Sequence, residues 1–175
     1  MMIKRRAAFG LFLLIAVAAA GYAKFLWFRA HTGEPGAIAR LGKELPPLPV
    51  FDDAGRPVDV AKAARGRKSI ITFYSDSCRL CQELLPLLQP LPPGLSLFLI
   101  RSRSAGSSQS PAVPGLVELP VFSDRNDVLS RSFPLSGVPA VLFVDEHGVL
   151  RDGLVGKRAL YRLQKKLRAF AEANR

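Results

Sequence analysis

Two cysteines three positions apart, Cys78 and Cys81, stand where a run of β-branched and aromatic residues gives way to a helical pattern. That junction limits the folds open to this chain more than any other feature. Lys68 to Tyr74 contains Ile70, Ile71, Thr72, Phe73 and Tyr74 and reads as a buried strand. Ser75-Asp76-Ser77 offers side chains suited to capping a helix. From Cys78 to about Gln89, Leu80, Leu84, Leu87 and Leu88 fall on helical spacing, and Pro86 predicts a kink or an early end. Cys78 is thereby placed among the unpaired N–H groups and partial positive charge of a helix start.

The chemistry follows from that position. The thiolate is the attacking species, and cysteines at helix starts beside a cation have pKa values lowered to roughly 3.5–7.5. Arg79 supplies the neighbouring cation. Cys81, one turn later, is expected to be more buried and able to resolve a mixed disulfide formed at Cys78. Competing readings of the pair are weaker. A crosslink this short restrains little chain, so a purely structural disulfide stabilises little. A zinc half-site lacks two further ligands, since His31 and His147 lie in a linker and a turn. Haem attachment needs a histidine directly after Cys81, and Gln82 stands there. No metal or cofactor is implied.

Beyond the junction, Leu95 to Ile100 reads as a second buried strand, and 101–120, rich in Ser, Pro and Gly, as a long loop. Asp124 to Ser132 fits a short helix, and Val58 begins a short element after the turn Asp52-Asp53-Ala54-Gly55. Ala140–Val144 and Val149–Val155, separated by Asp145-Glu146-His147-Gly148, read as a hairpin. Lys157 to Ala173 closes as a helix with Leu160, Leu163, Leu167 and Phe170 on one face. Its basic residues read as a solvated outer face, or as a surface for membrane or an acidic partner. Strands that alternate with helices and then end in a hairpin suggest an α/β domain, a mixed sheet with helices on both faces. Pro139, unable to donate to a ladder, belongs at the start of its strand.

The N-terminus sets the compartment. Ala7 to Ala23 carries no charged side chain, roughly 25 Å of helix at about 1.5 Å per residue. Lys4-Arg5-Arg6 precedes it, and basic flanks stay on the cytoplasmic side. Residues 1–6 therefore read as a cytoplasmic tail and 7–28 as a transmembrane anchor. Residues 29–49 read as a stalk and 50–175 as the exported domain, on the periplasmic side of the inner membrane. A cleaved signal peptide is the alternative reading of 7–28, and a buried core helix is a third. The net charge of +11 is unevenly spread: residues 1–31 hold five cations and no acid, and the remainder carries +6. No nucleic-acid motif accompanies the charge.

Taken together, the strand, the Cys78-Arg79-Leu80-Cys81 helix start, Gly137-Val138-Pro139 and the hairpin turn ending at Gly148 resemble the thioredoxin-like superfamily over about residues 45–173. The resemblance implies a cis Pro139 lying against the cysteines and a Val138 backbone that pairs with an extended client strand. It also implies a client bearing cysteines and a redox partner. Phe73 to Leu88 and Val138 to Leu142, followed by Asp145, Gly148 and Gly153-Leu154-Val155, look like exported, anchored reductase-like proteins. The nearest type is the methylamine-dehydrogenase accessory (MauD-like) proteins, which assist maturation of a disulfide-rich subunit. Two positions depart from the superfamily pattern: Ser77 replaces the usual Trp before the first Cys, and Thr72 stands where a buried acid often moves protons. Asp76 and Glu83 are candidate substitutes for that acid. A thioredoxin-like scaffold used for binding or chaperoning, with idle cysteines, is the second functional reading.

Overall fold

A run of β-branched and aromatic side chains favours an extended, pleated backbone, and Lys68–Tyr74 forms the strand from which the rest of the sheet is organised. The structure is a computed structural model that describes residues 22, 40–102, 120–133 and 137–173, with the backbone alone at 129 and 130. Its elements are β1 (Pro49–Phe51), β2 (Pro57–Asp59), α1 (Val60–Ala64), β3 (Lys68–Tyr74) and α2 (Arg79–Leu84). A 3₁₀ turn (Leu85–Leu88), β4 (Leu95–Ser102), β5 (Val121–Asp124), α3 (Val128–Ser132), β6 (Ala140–Val144), β7 (Leu150–Val155) and α4 (Lys157–Glu172) complete them.

The seven strands lie in the order β2-β1-β5-β4-β3-β6-β7. β3 runs parallel to β4, with Ile70 opposite Leu97, and antiparallel to β6, with Ile71 opposite Leu142. β6 and β7 form the expected hairpin. Alternation along β3 divides its side chains between two apolar layers. Ile71 and Phe73 join Val60 and Ala64 of α1 and Val128 of α3 on one face. Ile70 and Tyr74 join Cys81, Leu84, Leu88, Ala159, Leu163 and Leu167 on the other. Helices thus cover both faces of a mixed sheet.

Several local expectations are corrected. The stalk read into 29–49 ends earlier, because Leu45 and Leu48 are buried in the core. Leu45 N–H donates to the Gly148 carbonyl (2.9 Å), and Leu48 N–H donates to Asp59 Oδ1 (2.9 Å). Proline-rich composition hid two inward-facing leucines. The helix expected over Asp124–Ser132 starts only at Val128, because Val121–Asp124 adds to β4 as a parallel strand. Asp124 Oδ1 accepts the Val128 N–H (2.9 Å) and serves that helix start instead of belonging to the helix. The segments 1–21 and 23–39 lie outside the described residues, as do 103–119 of the expected loop. The segment read as a transmembrane anchor, 7–28, therefore falls outside the described residues, apart from Tyr22. Among the described residues no helix is long and apolar enough to cross a membrane.

The hairpin turn shows how a buried carboxylate organises backbone. Asp145 accepts the His147 N–H (3.0 Å) and the Val149 N–H (2.8 Å), and its other oxygen pairs with Arg151. Gly148, at φ +78°, completes the turn where a side chain would be strained. Burial by itself would raise the Asp145 pKa, but the Val149 and Arg151 bonds outweigh it and hold the carboxyl below its ordinary value of 3.8. A depressed carboxylate stabilises the fold above the unfolded value, and that contribution is lost as pH falls through the lower folded value. Asp145→Asn is expected to cost about 1–3 kcal/mol at neutral pH. It should also shrink the loss of stability on acidification below about pH 4. Urea melts at pH 7 and pH 3 check both; a mutant with the wild-type midpoint at pH 7 would contradict the assignment.

Candidate active site

Cys78 is the N-cap of α2, with φ −89° and ψ 106°, and its sulfur accepts the Cys81 N–H at 3.2 Å. The cap expected from Ser75-Asp76-Ser77 is thus supplied by the cysteine itself. Ser75 does contribute: its carbonyl accepts the Cys78 N–H (3.1 Å), and its hydroxyl bonds that of Ser77 (3.1 Å). The helix ends at Leu84 and tightens into the 3₁₀ turn around Pro86, as proline inside a helical pattern predicts.

Cys78 and Cys81 form a disulfide with a Cα–Cα separation of 5.2 Å. The two sulfurs are unequal. Cys78 is half-buried, whereas Cys81 is fully enclosed (0 % exposed) among Leu84, Leu88 and the α4 leucines. Attack from solvent therefore meets Cys78.

The Val138–Pro139 peptide is cis and lies against the pair. The Val138 carbonyl oxygen is 3.6 Å from Cys78 Sγ, so a reduced thiol there has an acceptor at hand. Pro139 is buried, and its carbonyl accepts the Gly156 N–H at 2.8 Å. That bond ties the start of β6 to the residue just before α4. Sequence reading missed Gly156; a glycine between an apolar strand and a cationic helix start was the available signal.

Arg79 is placed less favourably than its neighbourhood suggested. Its side chain is 92 % exposed and its Nε lies 3.4 Å from Glu83 Oε1. Both the cation and Glu83 therefore sit on the solvated side of α2. Asp76 is different: its carboxylate is 11 % exposed and lies 3.6 Å from Arg101 Nη1. Arg101 was read as the first residue of a loop, but it extends β4 and lies opposite Tyr74 in the parallel ladder. Burial raises the Tyr74 pKa; Arg101 opposes the rise, while Asp76 and Asp53 add to it. The phenol therefore stays protonated at neutral pH. Thr72, on the face that carries Cys81, is wholly buried, and among the described residues its hydroxyl has no hydrogen-bond partner. Neither Asp76 nor Glu83 is hydrogen-bonded to a sulfur among the described residues.

Fold and site together define a thioredoxin-like fold that carries a CxxC disulfide at the start of a helix. Solved structures agree on the fold. The thioredoxin domain of a thiol–disulfide oxidoreductase from Bacteroides vulgatus matches with a TM-score of 0.58 and 18 % identity, covering 73 % of this chain and 97 % of that one. A Chlorobium tepidum protein described as thiol:disulfide interchange protein DsbE matches with a TM-score of 0.59 and 17 % identity, over 75 % and 97 % of the two chains. A secreted Mycobacterium tuberculosis disulfide oxidoreductase homologous to E. coli DsbE gives 0.54 and 18 %, over 70 % and 95 %. Among curated proteins, thiol:disulfide interchange protein DsbD of Actinobacillus pleuropneumoniae serotype 5b (strain L20) is 24 % identical over 149 residues. That alignment covers 83 % of this chain, which spans only 22 % of the DsbD length. No family model matches.

Proposed function

We propose that this protein is an exported, membrane-tethered thiol–disulfide oxidoreductase that exchanges disulfides with cysteines of exported client proteins. The observation that carries the reading is the Cys78 sulfur at the α2 N-cap, receiving the Cys81 N–H and lying beside cis-Pro139. In the oxidising direction a client thiolate attacks Cys78 Sγ, the Cys78–Cys81 bond breaks, and Cys81 leaves as a thiolate that takes up a proton. A second client thiolate attacks the mixed disulfide, a client disulfide forms, and Cys78 departs as a thiolate. Two electrons pass from client to protein; of the two protons the client thiols give up, one ends on Cys81 and the other in solvent while Cys78 remains a thiolate, and reduction of a client is the same sequence reversed. Val138 and Pro139 hold the client strand beside the sulfurs. Arg79 adds a weak, solvent-screened attraction for the Cys78 thiolate. A second redox protein resets the pair between turnovers.

The tether is the apolar segment 7–28. Within this reading, the likeness of Phe73 to Leu88 and of Val138 to Val155 to MauD-like proteins supports a disulfide-rich client such as the methylamine-dehydrogenase small subunit.

The test is the reactivity of the reduced pair. One cysteine should alkylate with a midpoint well below the free-thiol value of about 8.5, and the pair should titrate as a two-electron couple in glutathione buffers. A Cys78 that alkylates only near the free-thiol value, with no exchange with any dithiol, would leave the scaffold as a binding module.

A further inference from the structure

We infer that the outer face of α4 is a docking surface for an anionic lipid bilayer. Lys157, Arg158, Tyr161, Arg162, Lys165 and Arg168 are all exposed. At 3.6 residues per turn they fall within about 140° of arc along the helix. Ala159, Leu163 and Leu167 on the opposite side are fully buried. Tyr161, 81 % exposed, stands among the cations, and tyrosine suits the level of lipid headgroups.

Helix stability does not account for this pattern. The first turn holds no acid, although Lys157 and Arg158 face the positive end of the dipole there. Arg158 and Arg162 are a like-charge pair four residues apart, which weakens a helix. Elsewhere the chain places opposite charges at that spacing, in Arg56–Asp52 and Arg79–Glu83. Of the α4 cations, Lys166 alone has an ion-pair partner among the described residues, Asp152. The helix has one acid, Glu172, in its final turn. The face thus presents uncompensated positive charge over about 17 Å of helix.

A bilayer is favoured over an acidic protein for two reasons. The cations and Tyr161 lie along one side of a single helix, with the aromatic ring among the charges, as the headgroup level of a bilayer accommodates. The sequence also carries an uncharged stretch, Ala7–Ala23, and residues 29–39 beyond it can extend no further than roughly 40 Å. The second reason rests on the tether reading above, so the experiment separates the two.

Full-length protein is mixed with phosphatidylcholine vesicles, with and without phosphatidylglycerol. Lysine reactivity toward an acylating reagent is then mapped by mass spectrometry. Each cation near an anionic surface is worth about fivefold in partition. Labelling of Lys157 and Lys165 should therefore fall about tenfold or more when phosphatidylglycerol is present, and high salt should restore it. Exposed Lys43 and Lys62 should be unaffected. The triple variant Arg158→Glu, Arg162→Glu, Arg168→Glu should lose the protection while keeping wild-type disulfide exchange. No dependence on phosphatidylglycerol would overturn the proposal. So would equal protection by soluble polyglutamate, which would assign the face to an acidic polypeptide. Flotation with neutral vesicles reads the tether alone. A chain that does not float there, yet shows phosphatidylglycerol-dependent protection, supports the α4 surface and refutes the tether.

Discussion

Cys81→Ser is expected to hold a client on the protein as a mixed disulfide that outlives the wild-type intermediate by a factor of about 100 or more, and Cys78→Ser is expected to abolish exchange. The opposite outcomes follow from unequal access. Cys78 is half-buried at the helix start, with an N–H aimed at its sulfur, so in the proposed exchange it meets the client and carries the reactive thiolate. Cys81 has no exposed surface and lies among leucines. In the proposed exchange it stands one turn away and breaks the mixed disulfide by an intramolecular attack, whose effective concentration far exceeds that of any free thiol. Removing it leaves the intermediate waiting for an outside thiol. Removing Cys78 leaves only an enclosed sulfur that no client can reach. Non-reducing gels and intact mass spectrometry with a cysteine-bearing peptide read both effects. A Cys78→Ser protein retaining a tenth of the wild-type rate would show that the order of the two sulfurs is wrong.

The second large effect is on stability. Phe143 in β6 is wholly buried on the face that carries Cys81, and its ring meets that of Phe170 edge-on at 5.5 Å. It faces a layer shared by β3, the 3₁₀ turn and α4, whose backbones cannot close on an emptied site. Phe143→Ala is therefore expected to cost about 3–5 kcal/mol, the transfer loss plus the cavity. At roughly 1–3 kcal/mol per molar urea, the midpoint should fall by about 2 M with little change in slope. Tyr161→Ala, on the solvated side of the same helix, should stay within about 0.5 kcal/mol of wild type. A Phe143→Ala midpoint within about 0.3 M of wild type would mean that the layer repacks.

Much of this was readable beforehand where burial and local propensity agree. β3, β4 and β6 are largely apolar runs, and a strand enclosed on both faces has little freedom in composition. α4 announced itself through its leucine spacing, and the 3₁₀ ending of α2 through Pro86. The mismatches share one physical origin: partners distant in sequence decided the outcome. Val121–Asp124 is short and unremarkable alone, and it becomes a strand because β4 offers it a parallel edge. Leu45 and Leu48 look like linker residues between prolines until Val149 and Asp59 supply bonding partners for their segment. At the site, the geometry of both cysteines and Pro139 was legible, because only cysteines form the disulfide and proline readily takes the cis peptide found there. Arg101 was not, since its pairing with Asp76 depends on the strand register. Arg79 was overrated for the converse reason, because adjacency in sequence put it near the sulfur while the helix turned it toward Glu83.

The double duty of Cys78, reacting atom and helix cap at once, makes the local fold an energetic participant in electron transfer. A thiolate receives the Cys81 N–H as a charge-assisted bond, about twice as strong as one to a neutral acceptor. In the proposed exchange, each turnover therefore changes the cap of α2 as well as the charge on its sulfur.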